Sequence, residues 1–202
     1  MRQIVSFLLL VVSSSGFSQS ALEVQLGPKA ATFEHWYYST LPGFSPRLEF
    51  FNYTYAIWHR VEGRENSSVV NPFFGYNLYK GIGISASITF QNEVVSPFLG
   101  LQYSKTSRIQ SLFAALSYAT TQSGMGELFL WYLFQPSKEG WKPFGQFHGV
   151  SNWGARHNFT QLKIRVGPSY KSHSFGLAWD TDWDGLWNSF THAGLFYRIQ
   201  LQ

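Results

Sequence analysis

Three groups of residues in this 202-residue chain have types and spacing that could do chemistry. In His148-Gly149-Val150-Ser151-Asn152 an imidazole precedes a hydroxyl by three positions, the pairing in which a general base activates a nucleophile for ester hydrolysis. Spacing assigns no acid partner to that histidine; Glu127 is the candidate. Asp180-Thr181-Asp182-Trp183-Asp184-Gly185 matches the first six positions of a calcium loop, with carboxylates at alternate positions and a glycine where the chain turns. The twelfth position of such a loop is Glu, and here it is Thr191. The third group is a set of charges, Lys163, Arg165, Asp180, Asp182 and Arg198, inside segments that are otherwise apolar at every second residue.

The elements that must position these residues show a period of two. Between 159 and 170, Leu162, Ile164 and Val166 share one face, while Gln161, Lys163, Arg165 and Ser169 share the other. Phe175, Leu177 and Trp179 oppose Ser174, Ala178, Asp180 and Asp182 in the next segment. In the last, Leu195, Tyr197 and Ile199 oppose His192, Phe196 and Arg198. Ile82, Ile84 and Ile88 likewise oppose Gly83, Ser85 and Ser87. These patterns predict strands over 46–59, 69–79, 81–91, 94–104, 107–119, 125–135, 141–151, 159–170, 172–183 and 190–201. That makes about ten, or eight if 94–119 merges.

Periodicity fits either a membrane barrel, apolar outward, or a soluble secreted β-sandwich, apolar inward. Composition separates them. Only 13% of residues are charged and 19% are aromatic, whereas a soluble domain carries about 25% charged residues. The polar faces hold Gly, Ser, Thr and Gln, where a water-facing sheet would be rich in Lys and Glu. Outside the N-terminus no apolar run approaches the roughly 20 residues of a spanning helix. The fold class predicted is an all-β, transmembrane, antiparallel up-and-down barrel.

Registers carry the chemistry question further. A turn at Lys171-Ser172 sets Lys163 opposite Asp180, so the charges face the lumen as pairs, and the favoured reading is a structural plug. His148 and Ser151 fall on opposite faces of a regular strand, so catalysis there requires a bulge. Half a calcium motif at a strand end reads more simply as a polar terminus. No motif calls for a cofactor, and a net charge of +4 without a basic run argues against nucleic acid.

Residues 1–20 read as a signal peptide, with Arg2, an apolar Ile4 to Val12 and a small, polar stretch to Ser20. Residues 21–45, interrupted by Pro28 and Pro42, form an N-terminal periplasmic or extra-strand segment. The barrel is expected over 46–202. Tight connections follow residues 79, 104 and 170, and wetter loops span 60–68, 120–124, 152–158 and 184–189.

Pro72-Phe73-Phe74-Gly75, Pro97-Phe98-Leu99-Gly100, Pro143-Phe144-Gly145 and Gly167-Pro168-Ser169-Tyr170 recur along these strands. In them the chain resembles small, uncharacterised outer-membrane β-barrel proteins of Gram-negative bacteria. The resemblance implies the bacterial outer membrane, contact with its lipid and lipopolysaccharide, and insertion by the barrel assembly machinery, which often reads a terminal aromatic; this chain ends Ile199-Gln200-Leu201-Gln202. The implied role is structural, or permeation or binding of a small solute. The His148 segment is similar to the His-x-Ser-Asn signature of outer-membrane lipid A 3-O-deacylases, which implies esterase activity as the alternative.

Overall fold

The computed structural model describes residues 17–91, 94–107, 109–121, 124–136, 140–154, 159–184 and 189–201. Among them twelve strands follow in chain order: β1 Phe17–Leu26, β2 Ala30–Thr40, β3 Leu48–His59, β4 Ser67–Tyr79, β5 Ile82–Gln91, β6 Val94–Thr106, β7 Gln110–Ala119, β8 Gly126–Phe134, β9 Trp141–Trp153, β10 Phe159–Tyr170, β11 His173–Asp184 and β12 Ser189–Leu201. Each pairs antiparallel with its neighbours in sequence. Pairing of β1 with β12, from Ser20↔Leu201 to Leu26↔Leu195, closes the barrel.

The expected architecture is therefore the fold, with twelve strands where the sequence predicted about ten. All ten predicted strands form. The other two arise from residues left unassigned, because the prolines bracket strands instead of breaking them. Pro28 lies in the β1–β2 connection, and Pro42 and Pro46 lie between β2 and β3. The merger of 94–119 that an eight-strand count requires does not occur. Ser107 N donates to Gln110 O at 2.8 Å, turning the chain between β6 and β7. Of the expected leader, residues 1–16 lie outside the described residues, and the closing ladder uses nothing before Ser20.

Turn chemistry fixes the registers. Lys80 and Gly81 both have positive φ, 48° and 89°, as a two-residue hairpin turn with the twist of its strands requires. A Cβ on Gly81 would lie 2.1 Å from Ser104 O, so only glycine fits. Phe74 pairs with Ala86 and Tyr76 with Ile84, outward residue against outward residue. Nearer the turn a bulge between Asn77 and Tyr79 sets Tyr79 opposite Ile82. The strand directions gather the C-terminal ends of β1, β3, β5, β7, β9 and β11 at one end, here the loop end. The C-terminal ends of β2, β4, β6, β8, β10 and β12, with the turns at 80–81 and 171–172, lie at the other, the turn end.

Side-chain direction settles membrane barrel against sandwich. Leu177 and Leu195 point outward at 64% and 65% exposed, whereas a two-layered sandwich would pack them together. Ile84, Leu101, Leu116 and Trp179 continue an apolar surface around the barrel, far larger than a water-soluble monomer exposes. Trp58 and Trp153 at the loop end, with Tyr79 and Trp141 at the other, complete the two aromatic girdles of a membrane-embedded barrel.

The interior is not lined only by small residues. An eight-strand barrel is just filled by ordinary side chains, and a wider one needs larger filling or holds a lumen. Here Phe51, Tyr53, Phe73, Phe113, Phe129 and Trp131 pack inside as the main core. Phe51 stacks on Phe113 with centroids 5.0 Å apart, and Trp36 on Trp131 at 5.6 Å.

Candidate functional site

A layer of charge on the adjoining strands β10, β11, β12, β1 and β2 packs against these aromatic rings. Arg165, on the inner face of β10, is fully buried. Its Nε donates to Glu23 Oε1 at 2.5 Å, and Nη2 donates to Glu34 Oε1 at 3.2 Å, to Gln25 Oε1 at 3.0 Å and to Asp180 Oδ2 at 3.2 Å. Nη1 completes the fork on Asp180 Oδ1. Glu23 and Glu34 are direct cross-strand partners on β1 and β2, a repulsive arrangement that Arg165 bridges.

Lys163, two residues earlier on the same face, donates to Glu34 Oε1 and to the Tyr53 hydroxyl, both at 2.8 Å, and lies 3.2 Å from the centroid of the Tyr55 ring. Glu34 also accepts from Trp36 Nε1 at 3.1 Å. Arg198 donates to Gln146 Oε1 and stands 3.8 Å from Glu23 Oε2. His192 Nε2 is 3.6 Å from Asp180 Oδ2. Lys163, Arg165 and Arg198 thus meet Glu23, Glu34 and Asp180, and the layer is formally neutral. Ions inside a barrel are tolerable only in such mutual compensation.

The sequence placed Lys163 opposite Asp180, and that register is observed. The ion pairs themselves run differently, since Arg165 takes Asp180 and Lys163 takes Glu34. Sequence reasoning missed Glu23 and Glu34 because both sit on the two unassigned strands. Lys163 and Asp180 are each 1% exposed, so neither side chain faces open solvent.

Nearer the turn end, Glu49 gathers neutral donors: the Tyr38 hydroxyl at 2.9 Å, Asn77 Nδ2 at 2.6 Å, Ser104 Oγ at 2.9 Å and Gln102 Nε2 at 3.4 Å.

The hydrolase candidates are not brought together. The pairing of β9 with β8 and β10 runs without a bulge, leaving His148 inside and Ser151 outside. His148 is fully buried, its ring 5.0 Å from Trp36, 4.8 Å from Tyr53 and 5.0 Å from Phe129. Ser151 Oγ instead shares a hydrogen bond of 3.0 Å with Thr160 Oγ1. Glu127, on the inner face of β8, is register partner to Asn152 and holds no contact with His148 among the interactions described.

The calcium candidates also separate. Asp180 is engaged by Arg165, and Asp182 Oδ1 accepts from Gln161 Nε2 at 2.9 Å. Asp184 pairs with Phe159 at the end of β11, and its side chain lies outside the described residues. Among the described residues no group of three His, Asp or Glu side chains converges as metal ligands do.

Between the charged layer and the loop end lies a cavity of about 180 Å³. Tyr53, Tyr55 and Phe129 form its inner part, Asn71 and Thr89 line one wall, and Glu127, Asn152, Gln161 and Asp182 line the other. It reaches the rim at Gln91, which is exposed.

No protein-family model matches this chain, and no curated protein matches it. Among solved structures, one from work on the mechanism of in-meso crystallisation of membrane proteins aligns with 91% of this chain and 83% of its own, at 9% identity and a TM-score of 0.45. A mutant of the porin of Rh. blastica aligns with 91% of this chain and 98% of its own, at 8% identity and a TM-score of 0.31. At such scores neither likeness bears on function. The fold stands on the ladder closed between β1 and β12.

Proposed function

We propose that this protein is a non-conducting barrel of the Gram-negative outer membrane that holds a small solute in the vestibule at its loop end. The observation that carries this reading is a set of buried, mutually paired charges packed against the aromatic rings of the interior, with a lined cavity on one side of them. A pore would need water to replace Arg165's partners, and burial of the whole group argues against it.

The leader-like residues 1–20 support export. The short turns at 80–81 and 171–172 support a periplasmic turn end, with the vestibule opening outward. In this setting outer-membrane lipid and lipopolysaccharide surround the apolar belt, and the barrel assembly machinery inserts the chain. Osmotic swelling of proteoliposomes tests the closed lumen. Vesicles carrying this protein should shrink in small sugars and stay shrunken, like protein-free vesicles. Reswelling would mean a pore.

A further inference from the structure

We propose that the vestibule is selective for a small organic cation, an ammonium group on a ring-sized apolar body. This rests on the reading of the vestibule as a binding site and names its ligand class. Glu127 is 3% exposed, lines the cavity, and has no hydrogen-bond partner at Oε1. Asn71 Oδ1 and Thr89 Oγ1, on the facing wall, are buried and equally without partners. A buried carboxylate oxygen left alone is costly, and both of the other orphans can accept a hydrogen bond. What Glu127 Oε1 lacks is a donor: the Asn152 amide nitrogen reaches the other carboxylate oxygen, at 3.2 Å, and no hydroxyl or amide of the described walls reaches Oε1.

The barrel's own cations do not supply it. Lys163, the nearest below, is spent on Glu34 and Tyr53, and no ion pair reaches Glu127 or Asp182 among the described residues. An ammonium group brings three donors and one positive charge to a cavity holding two carboxylates, Glu127 and Asp182. A bare metal ion fits poorly, because these acids do not converge with a third ligand. The body of the ligand is set by the rest of the lining. Tyr55, Ile57, Val69, Phe129 and Val150 offer apolar area to its carbon skeleton. The volume, about 180 Å³, slightly exceeds the roughly 150 Å³ of a cavity that holds benzene.

The test is calorimetric titration of the full chain, folded in detergent micelles, with three probes that share a ring: benzylamine, benzyl alcohol and benzoate. Benzylamine should bind saturably, with the alcohol and the acid at least about tenfold weaker, the scale of one charge-assisted hydrogen bond. Glu127→Gln should weaken benzylamine by a similar factor. Val69→Trp, which fills the cavity without touching a carboxylate, should abolish binding. Both variants must keep the heat-modifiable gel mobility of a folded barrel. Equal affinity for alcohol and amine, or a Glu127→Gln protein that binds benzylamine as the parent does, overturns cation selectivity and leaves the binding vestibule standing. If all three probes fail, the vestibule reading falls and takes this one with it.

Discussion

Arg165 and Glu23, 142 residues apart in sequence, are joined by a hydrogen-bonded ion pair of 2.5 Å inside the barrel. The pair ties β10 to β1, the strand that makes the final closure with β12. An interaction that holds the closing strand should matter more than its place near the chain's start suggests.

Glu23→Ala leaves the buried Arg165 and Arg198 short of a carboxylate, and breaking a buried pair in this way costs about 3–5 kcal/mol. Glu49→Gln is the contrast. The donors around Glu49 are neutral, and an amide oxygen can still accept from them, so the loss should be roughly 1–2 kcal/mol. Equilibrium urea unfolding from lipid vesicles measures both. Equal losses would show that Glu23 is not a keystone of the layer.

Trp179 lies midway along β11, outward and 52% exposed. Facing hydrocarbon, Trp179→Arg should cost about 2–4 kcal/mol of folding into vesicles, as cations do at the bilayer midplane of such barrels. A loss near zero would mean that this surface meets water.

Ser151→Ala should leave the acylation of lipid A unchanged by mass spectrometry in cells expressing the protein. The Ser151 hydroxyl is bonded to Thr160 on the outer face, while His148 is enclosed among rings on the inner one. A serine-dependent change in acylation would restore the esterase reading.

Trp36→Ala should destabilise the barrel by about 3–5 kcal/mol, because Trp36 is buried against Trp131 and Tyr53 and also donates to Glu34. Thermal loss of the folded gel mobility gives the ranking, with Trp36→Ala below Trp36→Phe.

The legibility of the sequence varied along the chain for physical reasons. Strands β10 to β12 were plain because their inner faces carry charge and small residues while their outer faces carry Leu, Ile and Trp. Strand β8 is apolar on both faces, with Phe129 and Trp131 inward and Leu128 and Leu130 turned outward, so no alternation marks which side faces lipid. Strands β1 and β2 were obscured by prolines that proved to be in the connections. Missing them hid Glu23 and Glu34, and so Lys163 and Arg165 could be read as inward charges but not matched to their main partners. Glu127 was visible as an acid. That it belongs to a cavity with Asn71 and Thr89 depends on strands from opposite walls, which a period of two along one strand does not encode.

The central claim, that paired charges close the lumen between two wet ends, has a direct test because the chain contains no cysteine. Asn71→Cys places a thiol in the vestibule, and Gln200→Cys places one on the inner face near the turn end. In sealed proteoliposomes of known orientation, a membrane-impermeant maleimide should label Asn71→Cys only from the loop side and Gln200→Cys only from the turn side. Labelling of both positions from one side would show a water path past Arg165 and contradict the account.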